Sequence, residues 1–214
     1  MIPRDLTGRP VPFGRTRQER TFQFWGGALP AGLEVAYTGA GSASYTSEAV
    51  GPPAATVTTE AVNAATARIR TATDINCANL RAVWFYVDGL KVNTAESCTV
   101  YVTLASTTTT HGVLVVDDTF SGLREIRAAD AAGALVNTAL PFEFRTTKPK
   151  DIAVLLRPQD KIVHVFEGDQ EIYQQAIPSY VPGLVRASVI VQARTSSARS
   201  VTVNQMRVAI EHNL

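Results

Sequence analysis

The densest group of chemically useful side chains is Glu167-Gly168-Asp169-Gln170-Glu171, with a carboxylate at every second position. On one strand this spacing puts all three on one face, where they could act as nucleophile, helper and acid/base in glycoside hydrolysis. That arrangement needs apolar residues between the carboxylates, facing a core. Gly168 and Gln170 are poor core residues, and Gly-Asp is a turn signal. The segment therefore reads as a tight turn with its carboxylates splayed into water, and no catalytic residue is expected.

The other reactive side chains are scattered. His111, His164 and His212 lie far apart, and neither Cys77 nor Cys98 has a partner at metal-ligand spacing. His164 falls on an expected strand and reads as a partly buried neutral imidazole. For calcium the candidates are Asp117-Asp118 and Asp88-Gly89. A calcium site wants six or more oxygens, so both pairs read as solvated turn residues, and no metal or other cofactor is expected. Gly39-Ala40-Gly41-Ser42 lacks a following Gly-Lys and is no phosphate loop. Gly-x-Ser-x-Gly is absent, so no hydrolase elbow is expected. The two cysteines bracket Leu80 to Asp88. If that strand pairs with the run from Cys98, the thiols lie about 30 Å apart, far beyond the ~7 Å that a disulfide allows. Two free thiols follow.

Aromatic rings offer binding chemistry. Trp25, Tyr37, Tyr45, Tyr173 and Tyr180 stand in or beside turn-rich segments, where exposed rings serve sugar faces or protein interfaces equally well. Trp25, Tyr173 and Tyr180 are the candidate carbohydrate-binding residues. Trp84, in mid-strand, is assigned to the core.

These side chains must be held by strands. The chain has 214 residues, 45% of them hydrophobic, with 20 basic and 19 acidic residues. A chain of this length can bury a core without disulfides, and its balanced charge gives no bulk attraction to nucleic acid or anionic lipid. No run of about 18 apolar residues exists, so no membrane insertion is expected. Apolar residues recur with period two almost throughout. Ala65, Ala67 and Ile69 alternate with Thr66, Arg68 and Arg70, and Cys98, Val100, Val102 and Leu104 with Thr99, Tyr101 and Thr103. Leu80 to Val87 is apolar on both faces, which suits a central strand. Val113 to Val116 is a short buried run, Phe142 and Phe144 mark another strand, and Arg127 to Val136 reads as a hairpin. Val185 to Ala193 forms a long strand with Arg186, Ser188, Gln192 and Arg194 on its second face. Val201 and Val203 are out of phase with Met206, Val208 and Ile210, which predicts a β-bulge near Asn204-Gln205. No helix of three turns is predicted. The fold class is all-β, a two-sheet antiparallel sandwich over residues 21–214. Residues 1–20 carry three prolines and five arginines and read as an extended basic arm. Its anchors toward a neighbouring subunit would be Arg4, Leu6, Arg9, Val11, Phe13 and Arg15; a disordered tail is the other reading.

The opening Phe22 to Pro30, the unit Ile152 to Ala176 and the closing Val201 to Glu211 resemble the concanavalin A-like jelly roll of legume lectins and laminin G modules. Within the middle unit, Leu155-Leu156-Arg157-Pro158, Val163-His164-Val165-Phe166-Glu167-Gly168 and Ile172-Tyr173 look like the family's strand pair around a short turn. One departure is Leu33, where such modules often place Trp. The basic arm, the absence of a signal peptide in Met1-Ile2-Pro3-Arg4-Asp5 and the Ala/Arg-rich composition make the chain most similar to minor tail proteins of tailed bacteriophages. That resemblance implies a structural, non-enzymatic subunit of the virion tail, made in the host cytoplasm. Its partners would be other virion proteins, in a symmetric homo-oligomer, with host cell-wall glycan as a further contact. The alternative is a lectin-like carbohydrate-binding module, and the least favoured reading is a glycoside hydrolase using Glu167, Asp169 and Glu171.

Overall fold

The structure is a computed structural model that describes residues 17–47, 51–92, 97–106, 112–118, 121, 123–129, 135–139, 149–178 and 180–212, the backbone alone over 123–129 and 135–139. The first strands are β1 (Arg17–Gln23), β2 (Leu33–Thr38), β3 (Ser42–Thr46), β4 (Ala54–Thr58), β5 (Thr66–Thr71), β6 (Ile75–Asn76) and β7 (Leu80–Val92). They are followed by β8 (Cys98–Ala105), β9 (Gly112–Asp118), β10 (Leu123–Ala129), β11 (Leu135–Ala139) and β12 (Lys150–Arg157). The chain closes with β13 (Ile162–Glu167), β14 (Gln170–Ala176), β15 (Leu184–Ala193), β16 (Ser200–Val203) and β17 (Gln205–His212). A single 3₁₀ turn, Cys77–Asn79, is the one helical element among the described residues.

Two antiparallel sheets stack face to face. The larger runs β14-β13-β12-β7 and continues from β7 to both β17-β1 and β16-β4-β3; the smaller runs β11-β10-β9-β8-β15-β5-β2, with β6 beside β15. Period-two alternation decides the facing sides. Val83, Phe85 and Val87 of β7, Ile152, Val154 and Leu156 of β12, and Val163 and Val165 of β13 turn inward from the larger sheet, each at most 1% exposed. Val100, Val102 and Leu104 of β8 and Val185, Ala187, Val189 and Val191 of β15 answer from the smaller. Full burial of each large aliphatic side chain favours folding by about 1.5–3 kcal/mol.

The phase change predicted near Asn204 is present, but it is no one-residue insertion: two residues separate the paired positions on each strand, and β7 changes phase at the same place, with its register shift against β12 instead. β7 carries Gly89 at φ +66°, a left-handed conformation that glycine adopts without a Cβ penalty. On one flank β7 pairs with β17 up to Asp88 opposite Gln205, and then with β16 from Lys91 opposite Thr202. The Asn204 N–H donates to the Asp88 carbonyl at 2.9 Å, and the Gly89 N–H to Asp151 Oδ1 at 2.8 Å. The bend lets one strand serve two branches of the sheet.

Several expectations need correction. Arg17 to Arg20 belong to β1, an edge strand paired to β17, so the sandwich starts before residue 21; edge strands tolerate the charged sequence that suggested an arm. Residues 1–16, with Arg4, Leu6, Arg9, Val11, Phe13 and Arg15, lie outside the described residues, as do His111, Phe142 and Phe144. Asp88-Gly89 is the bulge of β7, and Asp117 and Asp118 end β9 at 2% and 4% exposure, so neither pair is a solvated turn. Neither Cys77 nor Cys98 forms a disulfide, as expected, and both are buried. The hairpin argument behind that expectation is wrong, because β7 and β8 belong to different sheets. The Arg127–Val136 region does pair as a hairpin, between β10 and β11.

A Cβ at position 89 would stand 2.4 Å from the Asn204 side-chain amide. Gly89→Ala is expected to lower stability by about 1–3 kcal/mol, from the forced left-handed conformation and the displaced amide. The check is the urea midpoint at unchanged m-value.

Candidate functional site

The site is built by the outward parity of β7. Because Val83, Phe85 and Val87 face the core, Ala82, Trp84 and Tyr86 face away from it. Trp84 is opposed by Leu155 on β12 and Ala209 on β17, and Tyr86 by Ala153 and Arg207. The alanines leave room beside the large rings. Trp84 stacks on Tyr86 with centroids 5.5 Å apart and planes 3° apart, and meets Phe166 of β13 at 5.5 Å and 38°. Phe166 in turn stacks on His164 at 6.3 Å, and the Arg207 guanidinium sits 4.1 Å above Tyr86. The result is a continuous row, Arg207–Tyr86–Trp84–Phe166–His164, across β17, β7 and β13. Each aromatic pair adds roughly 0.5–1.5 kcal/mol beyond its buried area, and the row stiffens the outer face of the sheet.

A groove of about 440 Å³ lies elsewhere, against Phe22, Val208 and Ile210; the groove over the aromatic row is about 340 Å³. Its apolar bed is Trp84, Phe166 and Leu155, and its polar rim is Arg81, Arg157, His164, Glu171 and Glu211. Glu171 Oε1 lies 3.2 Å from His164 Nδ1, and Arg157 is held by Asp160 at 2.6 Å. Trp84 Nε1, His164 Nε2 and Glu211 Oε1 are buried without a hydrogen-bond partner among the described residues. A buried unsatisfied group costs about 1–3 kcal/mol, so three on the residues of one groove mark a place where water or a ligand hydroxyl completes the bonding. The set combines an obligate donor, an acceptor and a ring nitrogen that can be either.

This reverses the assignment of Trp84 to the core. β7 is apolar on both faces, so alternation alone does not say which face meets the other sheet. The signal available in the sequence was the kind of residue at each parity. Val, Phe and Val carry no polar atom, whereas Trp84 and Tyr86 carry one each.

The residues first singled out fare differently. Trp25 is 58% exposed in the loop after β1. Tyr173 is half-buried on β14 and packs against the core, as do Tyr37 on β2 and Tyr45 on β3. Burial raises the Tyr37 and Tyr45 hydroxyl pKa values above the ordinary tyrosine value. Tyr180 is 1% exposed and is a core residue, which corrects its place among accessible rings. None of the three expected sugar-binding rings lines the groove over Trp84.

The acidic motif folds as the expected turn. Gly168, at φ +59°, and Asp169 connect β13 to β14 as a two-residue hairpin loop of the kind that takes Gly first. Glu167 continues the inward parity of Val163 and Val165 and pairs with Lys150 at 2.7 Å, while Glu171 stands opposite the outward Phe166. The motif's carboxylates therefore point to opposite faces. Glu171 and Glu211 do share a groove, but β14 and β17 are four strand spacings apart, about 19 Å along the sheet. Among the described residues no three His, Cys, Asp or Glu side chains are grouped to hold a metal ion.

Comparison with known proteins places the architecture. A Shewanella oneidensis protein of unknown function matches with TM-score 0.66 at 10% identity, over 94% of this chain and 90% of that one. The Lotus tetragonolobus seed lectin matches with TM-score 0.61 at 11% identity, over 92% and 100%. The carbohydrate recognition domain of Emp47p matches with TM-score 0.59 at 9% identity, over 91% and 95%. The likeness is one of fold. The chain shares the concanavalin A-like jelly roll of these lectins and recognition domains. No family model and no curated protein sequence matches. The comparisons lend no support to a tail-protein role, whose distinguishing arm lies outside the described residues.

Tyr180 and Cys77 lie together in the core, and their burial gives a measurable signature. Desolvation pushes the Cys77 thiol from 9.0 up to about 11 and raises the Tyr180 hydroxyl as well. The unfolded chain releases these protons at lower pH than the native protein does. Stability is therefore complete below about pH 8 and falls as pH rises through 9 to 11, by about 2–3 kcal/mol from Cys77 alone. Urea midpoints measured across that range should show the fall, and Cys77→Ala should flatten its lower part.

Proposed function

We propose that this chain is a lectin-like carbohydrate-binding domain that receives a sugar over Trp84 and Phe166 on the outer face of its larger sheet. The observation that carries the reading is the Trp84 ring on the outer face between Ala209 and Leu155, stacked on Tyr86 and lining the groove with Phe166, with unsatisfied polar atoms on Trp84, His164 and Glu211. A pyranose has one apolar face of C–H groups and a rim of hydroxyls. An apolar bed with a few convergent polar groups is the general form of a small-ligand site, and this groove has both parts. The named lectins and recognition domain of the same fold support the class of ligand. Arg157, Glu171 and Glu211 would select among sugars by the hydroxyls they meet. Trp25, exposed in its loop, is a second aromatic contact for a longer glycan.

The test is a glycan array of neutral and cell-wall oligosaccharides, followed by titration of whichever sugar binds. Trp84→Ala should weaken that binding at least about tenfold, the loss of one well-placed aromatic contact. Glu171→Gln, on the exposed rim, should change sugar preference while leaving the thermal midpoint within a few degrees of the parent. Binding untouched by both substitutions would remove the groove from the reading, and silence across the array would remove the reading itself.

A further inference from the structure

The outer face of the smaller sheet has a different character. Arg68 and Arg70 project from β5 and Arg186 from β15, above Ser188 and Thr103, which are 5% and 3% exposed. Glu34 of β2 accepts from Arg70 at 2.5 Å and from Arg186 at 2.6 Å, both through Oε1. Arg186 also bonds Asp74 at 2.7 Å. Two carboxylates thus lock two of the three guanidinium groups in place. Arg68 stands opposite Ala36 on β2 and Ile190 on β15, neither of which can pair with it. Its Nε is buried without a hydrogen-bond partner among the described residues. Among the described groups facing one another here, three cations meet two anions, and the surplus charge is Arg68.

Beneath the arginines is a small hole of about 30 Å³, walled by Leu114 and Ile190 and floored by the Ser188 and Thr103 side chains. That is room for roughly one water-sized group, so it can seat the end of a ligand and no more. A guanidinium presents its donors as a planar fork that matches a carboxylate. Burial first and the neighbouring Arg70 second press against the Arg68 charge, Glu34 offsets them only in part, and an anion would relieve both.

We propose that Arg68 and the hole beside it form a second binding site, which takes the carboxylate of an acidic sugar such as a uronic acid. The carboxylate would meet the Arg68 fork, and the Ser188 and Thr103 hydroxyls would meet it or the adjoining sugar hydroxyl. The rest of the sugar would rest against Ile190 and Leu114. This site is on the opposite side of the sandwich from Trp84; its preference for a carboxylate stands by itself, and the choice of a sugar rests on the lectin-like reading proposed above.

The experiment is calorimetric titration of the full chain with glucuronate, glucose and acetate at low salt. Glucuronate is expected to bind, with glucose silent, acetate weaker and added salt weakening the interaction. Arg68→Gln should reduce glucuronate affinity by about tenfold or more, the scale of a lost charged hydrogen bond. Arg68→Lys, which keeps the charge but not the fork, should fall between the two. Thermal melts of both variants confirm that the sheet is intact. Equal binding of glucose and glucuronate, or glucuronate binding unchanged in Arg68→Gln, would overturn the site. Acetate binding as tightly as glucuronate would overturn the sugar assignment.

Discussion

Everything in this molecule hangs on the two-sided burial of one strand. β7 pairs with β12 along one edge and with β17 and then β16 along the other. Its inward residues are fully buried in the core, and its outward residues carry the aromatic row. Neither face can change without the other, because a shift of one residue would exchange Phe85 for Trp84 in the core. Gly89 and Asn204 pin that register. They allow β7 to bend and to serve two branches of the larger sheet without breaking its ladder.

The two outer faces then divide by chemistry. On the larger sheet, aromatic rings lie beside alanines and leave a broad, partly apolar groove. On the smaller, arginines, hydroxyls and two carboxylates form a tight polar network around a hole too small for a whole ligand. The same sandwich core supports both, because side chains at alternate positions are free to differ once the inward set is fixed. Fold alone gives no function. The functional reading rests on what these outward residues are and where the strand register brings them together.

Much of the architecture was legible because alternation is a direct consequence of pleating. The inward sets of β8, β12 and β15 and the phase change at Asn204 follow from residue type and spacing. What could not be read was the partner of each strand. Cys77 and Cys98 flank segments adjacent in sequence, yet β7 and β8 lie in opposite sheets, since nothing local distinguishes a hairpin from a crossing between layers. The groove was missed for a related reason. Trp84, Phe166, Glu171 and Glu211 come from four strands, and only the sheet order unites them. Tyr180 was misjudged because proline-rich surroundings suggest a surface loop, while the ring itself turns inward beside Cys77. The acidic turn was read correctly, because Gly168 carries its conformation in its identity.

The most direct test of the central claim uses the fluorescence of Trp84, isolated by Trp25→Phe, which leaves a single tryptophan in the chain. Titration with a sugar that the protein binds should shift the Trp84 emission and shield it from acrylamide in proportion to occupancy. Emission and quenching that stay constant through saturation would place Trp84 away from the bound sugar and contradict the account.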